Sequence, residues 1–224
     1  MSSQEMLNTN ESSLDILDLD MINASLRNKS PLEIVRWAVG INKKAIVTTN
    51  FRPFEAVILH MATVADPTMD VLWIDSGYNT QATYLFAEKV IKDLSLNVHV
   101  YNPLVTAARR DAIMGGVPDV DSDLHDEFTR QVKLEPFKRA MQEFAPEVWL
   151  TAIRKDQTPF RNNLDIVTQD ETGLIKVAPV FYWTDVDLEG YLVENNLPDE
   201  EDYFDPTKVL GDRECGLHTQ AITA

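Results

Sequence analysis

The stretch "AIVTTNFRPFEAVILHMATVADPTMDVLWIDSGY" (45–78) decides the fold. Its outer parts, "AIVTT" (45–49) and "DVLWI" (70–74), are short apolar, β-branched runs of strand length. Between them, "FEAVILHMATVA" (54–65) places Val57, Ile58, Met61 and Val64 on one helical face. Strands this uniformly apolar are buried on both faces, which is the habit of parallel strands joined by crossover helices.

The alternation continues outward. "SPLEIVRWAVG" (30–40) opens a helix, with Ser30 as cap, Pro31 at the first helical position and Glu33 as capping-box partner. "TQATYLFAEKVIKDL" (80–94) is an amphipathic helix and "NVHVY" (97–101) a third strand. "KLEPFKRAMQEF" (133–144) reads as helical with Pro136 near its start, and "VWLTA" (148–152) as a fourth strand. "LDIVT" (164–168) and "LIKVA" (174–178) flank "QDETG", which predicts a hairpin at the sheet edge. "TDVDLEGYLVENN" (184–196) is a last helix, with Thr184 and Asp187 as a capping pair. The expected fold class is α/β, a mostly parallel sheet flanked by helices. The expected division is an N-terminal extension over 1–29, a nucleotide-binding α/β domain over 30–196 and a mobile, proline-bearing acidic tail over 197–224.

Bulk properties narrow the function. An apolar fraction of 44% and a charged fraction of 25% are those of a globular protein. No apolar run approaches the roughly 20 residues that span a bilayer. The polar, acidic start "MSSQEMLNTNESSLD" is unlike a signal peptide. A single cysteine makes no internal disulfide, so the cytoplasm is the expected compartment. The net charge of −16 opposes non-specific attraction to nucleic acid or to anionic membrane. Acid clusters in "DVDSDLHDE" (119–127) and "DEEDYFD" (199–205), and both read better as solvated loops than as sites. The first fails the calcium-loop pattern, because Leu124 stands where glycine is needed and Arg130 where glutamate is needed. No metal site is expected.

Ligands of such sheets sit at the carboxyl ends of the strands. There "TTNFRPF" supplies Thr48, Thr49 and Asn50 with backbone N–H groups, either as an anion cradle or as an ordinary strand–helix turn. "WIDSGY" offers Asp75 as an acceptor for a ribose hydroxyl or an amine, and Gly77 for the turn. "AIRKDQTPFRN" carries Arg154, Lys155 and Arg161 against the single acid Asp156, and guanidinium forks suit phosphate or sulfate. Lys133 and Arg139 are further candidates for that pocket. The competing reading, surface charges paired with nearby acids, stays open for Lys138 and Arg139. The only thiol, Cys215, lies in "GDRECGLHTQAITA" among polar neighbours, displayed rather than packed.

These residues converge on a resemblance. From about Ala45 to His218 the chain resembles the assimilatory phosphoadenylyl-sulfate (PAPS) reductases. The matching pieces are "TTNF", "WIDSGYNTQATY", "KLEPFKRA", "IRKDQTPFRNNL", "IKVAPVFYWT" and, most specific, "ECGLH". The resemblance implies an adenine-nucleotide α-hydrolase-like fold. It implies Cys215 as the catalytic nucleophile that takes the sulfonyl group from PAPS, with reduced thioredoxin or glutaredoxin then freeing sulfite. Arg213 and His218 flank the thiol in sequence and are expected to favour its thiolate, against the substrate's own negative charge. The Gln-Ser-x-x-Arg pattern of the family falls on Gln157, Thr158 and Arg161, so Gln157 joins the expected substrate set. Where the family has Ser-Phe-Gly this chain has Asn50-Phe51-Arg52, which makes Arg52 itself a candidate phosphate ligand. A Gly-Asp-x-His-x-Thr stretch common in relatives is not recognisable between Tyr203 and Gly211. The resemblance further implies a homodimer and no bound cofactor; one thiol cannot ligate an iron–sulfur cluster. The alternatives are a non-catalytic nucleotide-binding relative, and an adenylyl-sulfate or sulfur-transfer enzyme on the same fold.

Overall fold

A computed structural model describes residues 18–208. Six strands form one sheet: β1 (Ala45–Thr49), β2 (Asp70–Ile74), β3 (Asn97–Tyr101), β4 (Val148–Leu150), β5 (Val167–Gln169) and β6 (Ile175–Val177). Their order is β3-β2-β1-β4-β6-β5. All neighbours pair in parallel except β5 with β6, the expected antiparallel addition at the edge. The order reverses direction between β1 and β4, and a sheet of this kind opens a crevice at such a switch point.

Eight α-helices are described: α1 (Leu19–Leu26), α2 (Pro31–Gly40), α3 (Glu55–Ala65), α4 (Gln81–Leu94), α5 (Ala107–Met114), α6 (His125–Thr129), α7 (Glu135–Phe144) and α8 (Asp185–Glu194). The capping boxes expected at Ser30/Glu33 and Thr184/Asp187 are both formed. On one side of the sheet Val47, Val71, Leu150 and Val177 pack with α2, α3 and α8 through Val35, Ile58, Met61 and Leu188. On the other, Ile46, Leu72 and Trp149 meet Phe137, Ala140 and Met141 of α7. Burial of both faces is the physical cause of the apolar strand runs.

Three boundaries differ from expectation. The first is the extension over 1–29. Asn23 in α1 donates from Nδ2 to the Val167 carbonyl (2.9 Å) and accepts from its N–H (2.8 Å). An amide side chain has the donor and acceptor of a peptide group, so Asn23 completes the edge of β5, and α1 belongs to the domain. The second is the helix read over 133–144. Residues Arg130–Leu134 form a π-helical turn that runs into α7, with the Glu135 N–H bonded to the Arg130 carbonyl. Pro136 has no N–H to continue the normal ladder, and the widened turn precedes it. The third is the segment read as a tail from Leu197 onward. It is aperiodic as expected, yet over 199–207 it is bonded across the carboxyl edge of the sheet. No helix among the described residues is long and apolar enough to cross a membrane.

Candidate active site

The loop after β1 holds the site. It contains no glycine, but Phe51 and Phe54 have positive φ, 53° and 68°. That conformation is costly for bulky side chains. Phe51 meets the cost through burial: it is fully enclosed, with its ring edge-on to Trp73 at 4.8 Å and to Phe86 at 6.4 Å. The loop is organised around Glu55, the first residue of α3. Its Oε2 accepts from Thr49 Oγ1 and from the Asn50 N–H, each at 2.7 Å, and its Oε1 accepts from Arg52 Nε at 2.9 Å. Arg52 also donates to the Ala152 carbonyl at 3.1 Å, which ties the β1 loop to the β4 loop. The Asn50 N–H, read either as part of an anion cradle or as part of an ordinary strand–helix turn, is therefore bonded to the protein's own carboxylate.

A cleft of about 150 Å³ opens beside this loop. Thr48, Thr49, Asn50 and Arg52 line it from the β1 side, and Thr151, Ile153 and Arg161 from the β4 side. Lys133 enters from the π-turn, and Tyr203, Asp205 and Lys208 arrive from the C-terminal segment. Thr48 Oγ1 accepts the Trp149 indole N–H at 2.9 Å. Lys133 is buried and donates to Asp205 Oδ2 (2.6 Å) and to Thr207 Oγ1 (3.2 Å). Burial pushes the Asp205 carboxyl up, but the Lys133 charge and the Thr207 donors outweigh it and hold Asp205 below its ordinary range.

The cationic loop after β4 does not act as one patch. Arg161 is buried, bonded to Gln157 Oε1, and faces this cleft. Arg154 turns into a neighbouring cavity of about 200 Å³ with Phe54, Val57, Gln157 and Leu188, and pairs with Asp185 at 2.7 Å. Arg52 and Glu55 border both spaces. Lys155 is exposed, its ammonium 5.6 Å from the Tyr182 ring centre. Arg139 is held outside by Glu135 and the Asn102 carbonyl, the surface-pair reading left open for it.

Asp75 is an organising residue. Its Oδ1 accepts from the Gly77 N–H, Asn79 Nδ2 and the Tyr84 hydroxyl, and its Oδ2 from Asn102 Nδ2. Burial first, then the Asp75 charge, pushes the Tyr84 hydroxyl up to about 12, so Tyr84 stays a donor. Gly77 takes φ +80°, the turn conformation expected of it. Asp75, expected to accept a ribose hydroxyl or an amine, thus gathers four donors of the chain itself and organises the β2 loop.

Sequence reasoning missed Glu55, Asp205, Thr207, Tyr203 and Lys208. A signal existed for two of them: Asp followed two residues later by Thr, as in Asp205-Pro-Thr207, is an Asx-turn pattern. Its place in the acidic run 199–205 disguised it as solvated surface. Asp119, Asp121 and Asp123 of the other acidic run are indeed exposed. Cys215, Arg213 and His218 lie outside the described residues.

The phosphoadenosine phosphosulfate reductase domain model matches residues 44–218. The chain belongs to that family. Among its relatives, the phosphoadenosine 5′-phosphosulfate reductase of a Synechococcus species is 32% identical over 80% of this chain and 78% of the relative. The Photobacterium profundum enzyme of the same name is 31% identical over 92% of this chain and 90% of its own length. In structure, the chain matches the PAPS reductase of Candida auris, solved as a phosphate complex, with a TM-score of 0.70 and 28% identity over 82% and 88% of the two chains. The NH3-dependent NAD synthetase of Campylobacter jejuni, at 10% identity and a TM-score of 0.52 over 81% and 75%, shares the fold alone. The adenine-nucleotide α-hydrolase-like fold expected from the resemblance is thus the observed one.

Proposed function

We propose that this chain reduces 3′-phosphoadenylyl sulfate to sulfite and adenosine 3′,5′-bisphosphate, with Cys215 carrying the sulfonyl group between two steps. The observation that carries this reading is the family match through residue 218, which takes in the whole of "ECGLH". The cleft fits an anionic nucleotide: Arg52, Lys133, Arg161 and Lys208 border it in a chain of net charge −16. Its place, beside the switch between β1 and β4, is where such sheets bind nucleotides.

In the first step the Cys215 thiolate attacks the sulfate sulfur. An S–S bond forms, the bond from sulfur to the bridging phosphate oxygen breaks, and adenosine 3′,5′-bisphosphate leaves with that electron pair. An ordinary thiol of pKa about 8.5 is only a few per cent ionised at neutral pH, so Arg213 and His218 are assigned to favour the thiolate. In the second step a dithiol protein, thioredoxin or glutaredoxin, attacks Cys215 Sγ and releases sulfite. Its second thiol then frees Cys215 and closes the carrier's own disulfide. One cysteine cannot resolve its own adduct, so two external thiol equivalents are a chemical requirement, and a dithiol protein supplies both. A homodimer in the cytoplasm completes the proposal, on the family resemblance and the single thiol.

The test is sulfite release from PAPS with reduced thioredoxin. The parent without reductant should gain one SO₃ mass on Cys215, and Cys215→Ser should bind nucleotide yet release no sulfite. Undiminished turnover in Cys215→Ser would overturn the mechanism.

A further inference from the structure

We propose that Asp205 is a positioning residue of this reaction. Its carboxylate holds the Lys133 ammonium in the cleft and pins the segment that leads on to Cys215. The inference rests on the reading of the cleft as the nucleotide site.

Asp205 works with both oxygens. Oδ2 accepts from Lys133 Nζ at 2.6 Å, while Oδ1 accepts from the Thr207 N–H (3.0 Å) and the Thr207 hydroxyl (2.7 Å). Lys133 returns a bond to Thr207 Oγ1 at 3.2 Å, closing the group. The two charged side chains are only 7% and 11% exposed. A buried pair of this kind is poor evidence for stability, because apolar residues of similar volume commonly do as well. Its location is more informative: both members border the substrate cleft, and they come from elements 72 residues apart.

An ammonium has three N–H donors, and Asp205 and Thr207 use two. The geometry leaves the third for an anion in the cleft. Upstream, the Asp202 carbonyl accepts from Thr80 and Thr83, at 2.7 and 2.9 Å. Asp205 and Thr207 together are therefore a second tie of the segment to the domain, nearer in the chain to Cys215. One contact serves both ends of the chemistry: it orients the cation that borders the cleft and anchors the last described residues before the segment that carries Cys215.

The sign of the effect separates this role from a merely structural one. Asp205 offsets the Lys133 charge, so it weakens the field an anion meets. Removing its charge should leave anion binding intact or improved while turnover falls. A structural lesion would lower both.

The experiment uses the full chain, with adenosine 3′,5′-bisphosphate as the binding probe. Asp205→Asn should bind it as tightly as the parent or up to about tenfold tighter, with kcat lower by about tenfold or more. Hydrogen exchange at the Thr207 amide should accelerate. Thr207→Val keeps both charges and should lower kcat by about threefold at unchanged affinity, which preserves the test if Asp205→Asn fails to fold. Parental kcat in Asp205→Asn (or in Thr207→Val, where Asp205→Asn fails to fold), or bisphosphate affinity falling in step with kcat, would overturn the proposal. Cys215→Ser run alongside keeps the two readings apart. If it turns over normally, the nucleophile assignment falls, while exchange and bisphosphate binding still decide the role of Asp205. If it is inactive and Asp205→Asn is fully active, only the positioning role is lost.

Discussion

Glu55 Oε2 lies 2.7 Å from the backbone nitrogen of Asn50, so the turn after β1 closes on a carboxylate that the chain itself supplies. The same oxygen takes the Thr49 hydroxyl, and its neighbour takes Arg52 Nε. A loop without glycine cannot bring its backbone as close to a phosphate as a glycine loop can. Here the turn is stabilised from within, and Arg52 joins it to the β4 loop through Glu55 and the Ala152 carbonyl.

Removing that carboxylate should therefore be expensive. Glu55→Ala leaves a buried hydroxyl, an amide and a guanidinium without their acceptor. Breaking a buried charge pair from one side costs about 3–5 kcal/mol. Arg52 is 27% exposed at its side chain and recovers some hydration, so about 3 kcal/mol is expected. The midpoint of urea unfolding reads it, and a loss under about 1 kcal/mol would show that the loop does not depend on Glu55.

Arg161 and Arg154 should separate in function although seven residues and one loop hold them. Arg161 borders the cleft with Lys133, whereas Arg154 borders the adjacent cavity and pairs with Asp185. Arg161→Ala is expected to weaken adenosine 3′,5′-bisphosphate binding by about ten- to a hundredfold, the worth of a charge-assisted hydrogen bond. Arg154→Ala should cost clearly less in affinity. Calorimetric titration of both variants decides it, and a larger loss at Arg154 would move the nucleotide to the second cavity.

Acid should release the Asp205 contact late. Its carboxyl sits below the ordinary value of 3.8 in the fold, because Lys133 and Thr207 outweigh burial. For a carboxyl lowered on folding, the stabilisation is fully present above the unfolded value and is lost as pH falls through the folded one. The melting-temperature gap between the parent and Asp205→Asn should thus hold from neutral pH down to 3.8 and narrow only below it. A gap already closing near about pH 5 would mean that burial wins and the folded value is raised.

Asn23 should prove part of the domain. Asn23→Ala strands the N–H and carbonyl of Val167 at a buried position, worth about 1–3 kcal/mol. Deletion of residues 1–29 should cost at least as much in chemical denaturation. A truncated chain of parental stability would restore the boundary at residue 30.

The purified protein should carry no iron–sulfur cluster, because such clusters take several thiolates and this chain has one cysteine. Stoichiometric iron and sulfide in anaerobically prepared protein would contradict it.

What was legible in the sequence is what depends on neighbours along the chain. β1 and β2 lie where the apolar runs of 45–49 and 70–74 stand, because a strand buried on both faces has no alternative composition, and the edge strand β3 lies at 97–101, half-exposed and correspondingly more polar. The caps at Ser30 and Thr184 followed from residues three apart, and "ECGLH" marked the family from five consecutive residues. The cationic loop 154–161 was visible as composition. Its division between two cavities was not, since the direction of each side chain depends on the turns at Lys155–Gln157 and Arg161–Asn163 packing against α8 and the β1 loop.

Tertiary structure alone decided which acids matter. Asp199, Asp202 and Asp205 sit in a run that composition reads as solvated, and Glu55 reads as an ordinary first-turn helix acid. Three positions of that run bond to residues that folding brings to them: Asp199 to the Phe54 N–H, the Asp202 backbone carbonyl to Thr80 and Thr83, Asp205 to Lys133. Glu55 bonds within its own turn, to Thr49, Asn50 and Arg52, and burial takes it out of water. The strength of a hydrogen bond or an ion pair depends on distance and on water exclusion, and neither is set until distant segments pack. The sequence by itself determined the sheet strands, the family and the place of the single thiol in the chain. Only the folded arrangement determined which carboxylates leave the solvent and hold the cations of the cleft.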